Sequence, residues 1–84
     1  MYLHIGQDWM IAYPDIIGLF NRHILDVSPD FRHLFSRLRS EERVFGSLDT
    51  AKTLILTDRA IYLSPISTQT LQRRVERREL FFDS

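Results

Sequence analysis

Thr53-Leu54-Ile55-Leu56-Thr57-Asp58-Arg59-Ala60-Ile61-Tyr62-Leu63-Ser64-Pro65 is the stretch that decides the fold. Thr53–Thr57 is rich in β-branched side chains, which pack well on a pleated strand. Asp58-Arg59 separates it from a second run, Ala60–Ser64. A two-residue gap between strands signals a tight hairpin, here without the glycine that usually makes the turn. Pro65 ends the second strand because it has no N–H for a ladder. Leu54, Leu56, Ile61 and Leu63 are the expected core.

Upstream, Val44-Phe45 reads as another short extended run, followed by a Gly46-Ser47-Leu48-Asp49 loop. Before that lies Val27-Ser28-Pro29-Asp30. Ser suits the helix N-cap, Pro the first helical position, and Asp the positive helix start. Phe31, Leu34, Phe35 and Leu38 then fall at i, i+3, i+4 and i+7, predicting a helix of about three to four turns with one buried face. It fades near Glu41–Arg43. Asn21–Val27 reads as a connection. The first twenty residues hold three short apolar runs, Tyr2–Ile5, Trp9–Tyr13 and Ile16–Phe20. Gly18 inside the third weakens a strand or marks a close approach. These runs lack apolar–polar alternation, as expected of strands covered on both faces. So small a chain has little material for a second cover, and a partner subunit is an economical way to supply one. Downstream, Ser67 or Thr68 caps a last helix from about Thr68 to Glu79. The reading is an α+β domain spanning residues 1–84, with a small, mostly antiparallel sheet and two helices.

Composition narrows the function classes. Eighty-four residues with 11 basic and 11 acidic side chains carry no net charge. That argues against a free-standing, uniformly basic nucleic-acid binder and against a polybasic membrane peptide. A hydrophobic fraction of 44% is too high for a disordered chain. Zero Cys excludes a disulfide framework, a thiolate zinc site and a cysteine nucleophile. No apolar run approaches the ~18 residues of a membrane span, and the opening residues do not resemble a signal peptide. The expectation is a soluble cytoplasmic domain that is not an enzyme, with no cofactor, metal or small-molecule substrate. No phosphate-cradling glycine loop, nucleophile elbow or His-Glu-x-x-His motif is present. His4, His23 and His33 are not spaced as a metal pair on one helix.

The basic residues are almost all Arg, with Lys52 the exception. Arg presents a planar fork of donors that matches carboxylates and phosphates. Residues 1–27 set one Arg against three Asp, a net of −2, whereas residues 28–84 carry ten basic against eight acidic groups, a net of +2. Arg73, Arg74, Arg77 and Arg78 lie within two turns of the last helix, where the like-charged i, i+4 pairs cost a few tenths of a kcal/mol each. Their anions are either Glu76, Glu79 or a neighbouring subunit's carboxylates, or the phosphates of a nucleic acid. On a helical wheel Arg74 and Arg78 lean toward the protein, and Arg73 and Arg77 toward solvent. Arg37, Arg39 and Arg43 form a looser group. Phe81 and Phe82, at the chain end, need something to dock against. In a closed homo-oligomer a few arginines per chain recur at intervals, so a neutral protomer can build a basic rim.

Several stretches resemble a known family. Met1-Tyr2-Leu3-His4-Ile5-Gly6 with Asp15-Ile16-Ile17-Gly18-Leu19-Phe20 is similar to the RemB branch of the RemA/RemB bacterial regulators of extracellular-matrix genes. Ala51–Thr57, Ile61–Ser67, and Thr70-Leu71 followed by Arg73-Arg74 resemble that family's paired strands and last helix. The resemblance implies a LytTR-like DNA-binding fold assembled into a ring-like homo-oligomer, acting as a cytoplasmic, nucleoid-associated activator of biofilm-matrix genes. It also implies DNA contact at the outer rim, from basic residues just before the third strand and in the loop before the strand at Thr53–Thr57. This sequence departs there: the first place carries Asp15, and the loop Gly46–Lys52 keeps only Lys52. Either the contact has moved to Lys52, Arg59 and the last helix, or this branch acts through a protein partner. The expectation is therefore an oligomeric DNA-binding regulator with Lys52, Arg59, Arg73 and Arg77 on phosphates. Trp9, Arg74, Arg78, Phe81 and Phe82 are expected at the subunit interface. The alternative is an oligomeric protein-interaction module that never touches DNA.

Overall fold

The computed structural model describes residues 1–83, and side chains as far as Arg77. Its elements are β1 (Tyr2–His4), β2 (Met10–Ala12), a 3-10 turn (Tyr13–Asp15), β3 (Ile16–Asn21), α1 (Ile24–Val27), α2 (Pro29–Ser40), β4 (Val44–Phe45), β5 (Thr53–Thr57), β6 (Ile61–Ser64) and α3 (Thr68–Asp83). The class is α+β. The expected single sheet is instead two: the antiparallel pair β1–β2, and a four-stranded sheet in the order β3-β5-β6-β4. Only the β4–β6 pair in that sheet is parallel.

The β5–β6 hairpin forms without glycine because Thr57 closes it. Its backbone N–H donates to the Ala60 carbonyl at 2.9 Å, and its hydroxyl accepts from the Ala60 N–H at 3.0 Å. Leu54 and Leu56 point to one face of the sheet and Ile55 to the other, following the two-residue period of a strand. On the first face Leu54, Ile61 and Leu63 bury against Phe31, Phe35 and Leu38 of α2, with Leu56 packed at the margin. Each fully buried side chain of this kind contributes about 1.5–3 kcal/mol. On the second face Ile55 meets Leu3, Ile5, Ile11 and Leu71.

The chain thus covers both faces of its own sheet, one with α1–α2 and the other with the β1–β2 hairpin and α3. The second cover, for which a partner subunit is an economical source, comes from the chain itself. β3 joins the sheet itself, whereas residues 1–12, which carry the β1–β2 hairpin, fold back as part of that cover. Ser64 fastens them: its buried hydroxyl donates to the Ile5 carbonyl at 2.7 Å, 59 residues away in sequence.

Local signals set most boundaries. Ser28 caps α2, its hydroxyl accepting from the Phe31 N–H at 3.1 Å, with Pro29 in the first turn. The segment 21–27 is more than a connection. Asn21 Oδ1 accepts from the His23 N–H at 2.9 Å, and the Arg32 guanidinium donates to the Leu25 carbonyl at 2.9 Å, holding the turn of α1. After α2 the chain reverses at Glu42, whose φ of 62° is left-handed, and β4 runs beside β6. Gly46 follows with φ of 111°. A Cβ there would stand 2.7 Å from the Leu63 carbonyl oxygen, so the position requires glycine. In β3, Ile16 faces Thr57 and Gly18 faces Leu56, which leaves Ile17 as one residue too many, a β-bulge. α3 runs four residues beyond the expected Glu79, since no Gly or Pro interrupts Leu80-Phe81-Phe82-Asp83.

Candidate nucleic-acid interface

The last helix starts at a fixed place. Ser67 Oγ accepts from the Thr70 N–H at 3.2 Å. The buried Thr53 hydroxyl donates to the Ile66 carbonyl at 2.8 Å and lies 2.8 Å from the Thr68 hydroxyl. Leu71 is fully buried and Val75 packs beside it on the second core. That orientation puts Thr70, Arg73, Arg74 and Arg77 around one concavity of about 230 Å3. The spacing of these four is i, i+3, i+4 and i+7, a polar copy of the stripe that marked α2. Sequence reasoning found the arginines and missed Thr70, although the same periodicity contained it.

Arg74 leans inward as expected, its guanidinium donating to the His4 carbonyl at 2.8 Å. Arg73 and Arg77 are exposed. Among the described residues the ion pairs are His23–Asp26, Arg43–Glu41 and Arg59–Asp58, so Glu76 does not neutralise the helix arginines. Three guanidiniums thus line this concavity with no carboxylate among the described residues.

Lys52 lies at the same end of the sheet as the start of α3. Its N–H donates to the Ser64 carbonyl at 2.8 Å, and its carbonyl accepts from the Arg22 N–H at 3.0 Å. Arg22, absent from the sequence-based set, joins this end through that bond. Arg59 is elsewhere. The five residues of β5 put about 17 Å between it and Lys52. It sits on the hairpin beside Asp58, 4.0 Å from its carboxylate with its side chain 88% exposed. Asp15 lines a groove with the same pair. The four expected phosphate contacts therefore divide into Lys52, Arg73 and Arg77 toward α3, and Arg59 apart from them.

Of the residues expected at a subunit interface, Trp9 is half-buried and packs edge-on against Phe45 and Tyr62, with ring centroids 6.1 and 5.6 Å away. Phe45 stacks on Tyr62 at 5.3 Å. Phe45 and Tyr62 escaped sequence reasoning because the parallel β4–β6 pairing that brings them together has no local signal. Beside this cluster Tyr2 and Met10 are 61% and 59% exposed. The side chains of Arg78, Phe81 and Phe82 lie outside the described residues. Among the described residues no group of three His, Cys, Asp or Glu is placed to hold a metal, and no helix is long and apolar enough to cross a membrane.

The chain is 31% identical over 77 residues to extracellular matrix regulatory protein B of Bacillus subtilis (strain 168), a match that covers 90% of this chain and 91% of that protein. The chain belongs to the RemA/RemB family. No family model matches it. In this RemA/RemB member the match spans nine-tenths of the chain, so the family relation is to the domain as a whole and not to one short motif.

Proposed function

We propose that the protein is a regulator of extracellular-matrix genes that binds DNA without catalysis, as a nucleoid-associated homo-oligomer presenting a repeated basic rim. The name of the Bacillus relative supports the regulatory role. The observation that carries DNA binding is the α3 concavity, where Arg73, Arg74 and Arg77 converge with no carboxylate among the described residues. Arg73 and Arg77 contact phosphates, and Lys52 extends the track at the start of the helix. Arg59 stands off that track within one protomer and contributes only where an adjoining copy brings its hairpin alongside. Trp9 with Phe45 and Tyr62 supplies apolar area for subunit contact, whereas the Arg74 guanidinium braces α3 on β1 within its own protomer.

The test is a fluorescence-anisotropy titration of duplex DNA at several salt concentrations. Removing a cation from one phosphate lowers the log–log salt slope by about 0.9. The Arg73→Ala, Arg77→Ala double variant is therefore expected to bind more weakly, with a slope smaller by about 2. An unchanged slope rejects these two arginines as phosphate ligands, and a monomer in sedimentation velocity rejects the rim. A second reading, an oligomeric interaction module without DNA, is favoured by the exposed Tyr2 and Met10 next to the Trp9 cluster. It predicts no salt-dependent DNA binding at all.

A further inference from the structure

On the face opposite α3, the C-terminal end of α2 and the β5–β6 hairpin border a groove of about 410 Å3. Its apolar lining comes from Ile17, Leu34, Leu38 and Leu56. Ile17 is the extra residue of the β3 bulge, and the bulge leaves its side chain 63% exposed. Three arginines reach the same groove from three different segments: Arg37 from α2, Arg43 from the loop after it, and Arg59 from the hairpin. Glu41 and Asp58 accompany them, but their distances to Arg43 and Arg59 are long, 3.6 and 4.0 Å, and the pairs are exposed. Each guanidinium has five N–H donors, so most remain free. Arg37 has no carboxylate partner among the described residues.

We infer that this groove is a docking site for a short acidic segment of a partner protein, one whose apolar side chains lie on Ile17 and Leu34 while its carboxylates take the three arginines. The charge balance of three cations to two anions matches an acidic occupant. The apolar lining decides against DNA, since a phosphate backbone gains nothing from Ile17 or Leu56. The groove thus complements the α3 concavity, which is lined by Thr70 and three arginines with no carboxylate among the described residues. The site shares only Arg59 with the DNA reading, and either can fail without the other.

The test uses the full chain and a short fluorescein-labelled peptide that alternates Glu or Asp with Leu or Phe. Two control peptides carry Gln and Asn for the acids, or Ser for the apolar residues. Saturable binding of the acidic–apolar peptide and loss with both controls is expected. Arg37→Ala and Arg59→Ala should each weaken it about two- to fivefold, and Ile17→Ser about tenfold. All three positions are exposed, so the fold is retained, which far-ultraviolet circular dichroism checks. Arg37→Ala alone keeps the test decisive if Ile17→Ser unfolds. Duplex affinity and sedimentation coefficient should not change in Arg37→Ala and Ile17→Ser, neither of which lies on the proposed DNA track. Absent binding, equal binding of either control, or variants with unchanged peptide affinity would overturn the proposal. So would a matching loss of DNA affinity in Arg37→Ala or Ile17→Ser, which would make the groove a phosphate site, or a change in assembly, which would make it a subunit contact.

Discussion

Removing one hydroxyl tests how α3 is held. In Thr53→Val the shape is kept and the oxygen is deleted. That oxygen is fully buried, donates to the Ile66 carbonyl at 2.8 Å and sits 2.8 Å from the Thr68 hydroxyl. Each such bond contributes about 1 kcal/mol net. Ile66 and Thr68 are only half-buried, so water can satisfy part of what they lose. Valine also suits the strand. The expected cost is therefore about 1–2 kcal/mol rather than the sum for two unsatisfied buried groups. For a domain of this size 1 kcal/mol moves the midpoint by about 4–8 °C, so thermal melting followed by circular dichroism should fall by roughly 4–16 °C. Thr53→Ser is the companion: it keeps the bonds and loses one methyl. The reasoning fails if Thr53→Val melts within about 2 °C of the parent, because the hydroxyl then does not fasten the helix to the sheet.

Other outcomes follow from the same geometry. Ser28→Ala removes the α2 cap and should cost about 1 kcal/mol in urea unfolding. Gly46→Ala combines a left-handed backbone with a Cβ at 2.7 Å from the Leu63 oxygen, and should lose about 1–3 kcal/mol or more, read as a lower denaturant midpoint. Deleting Ile17 should leave a regular ladder, because Ile16 and Gly18 already face consecutive partners and opposite sides. The shortened chain is expected to keep the parent's near-ultraviolet spectrum while losing peptide affinity in the α2–hairpin groove.

The elements that sequence reasoning placed well were those whose signal is local. Ser28-Pro29, the Phe31–Leu38 periodicity and the Thr53–Ser64 runs each carry their own cap, period or breaker. The two-sheet division was not legible, because Tyr2–Ile5 and Ile16–Phe20 look alike as apolar runs. Long-range contacts distinguish the covering strand from the sheet strand: β1 pairs with β2, β3 with β5, and the Ser64 bond to Ile5 reaches across 59 residues. The separation of Arg59 from Arg73 and Arg77 was hidden for a related reason. Charge counts along a chain do not reveal which end of a strand a residue occupies. The α3 site was closer to the surface of the sequence, since a helix repeats its face every three to four residues.

The four-stranded sheet has two outer strands, and neither offers a long straight border. β4 is two residues long, and β3 is kinked by its extra isoleucine. Short or bulged borders discourage strands of other molecules from adding on. Strand addition along these two borders is therefore disfavoured. A concentrated solution has little straight template from which to seed fibrils.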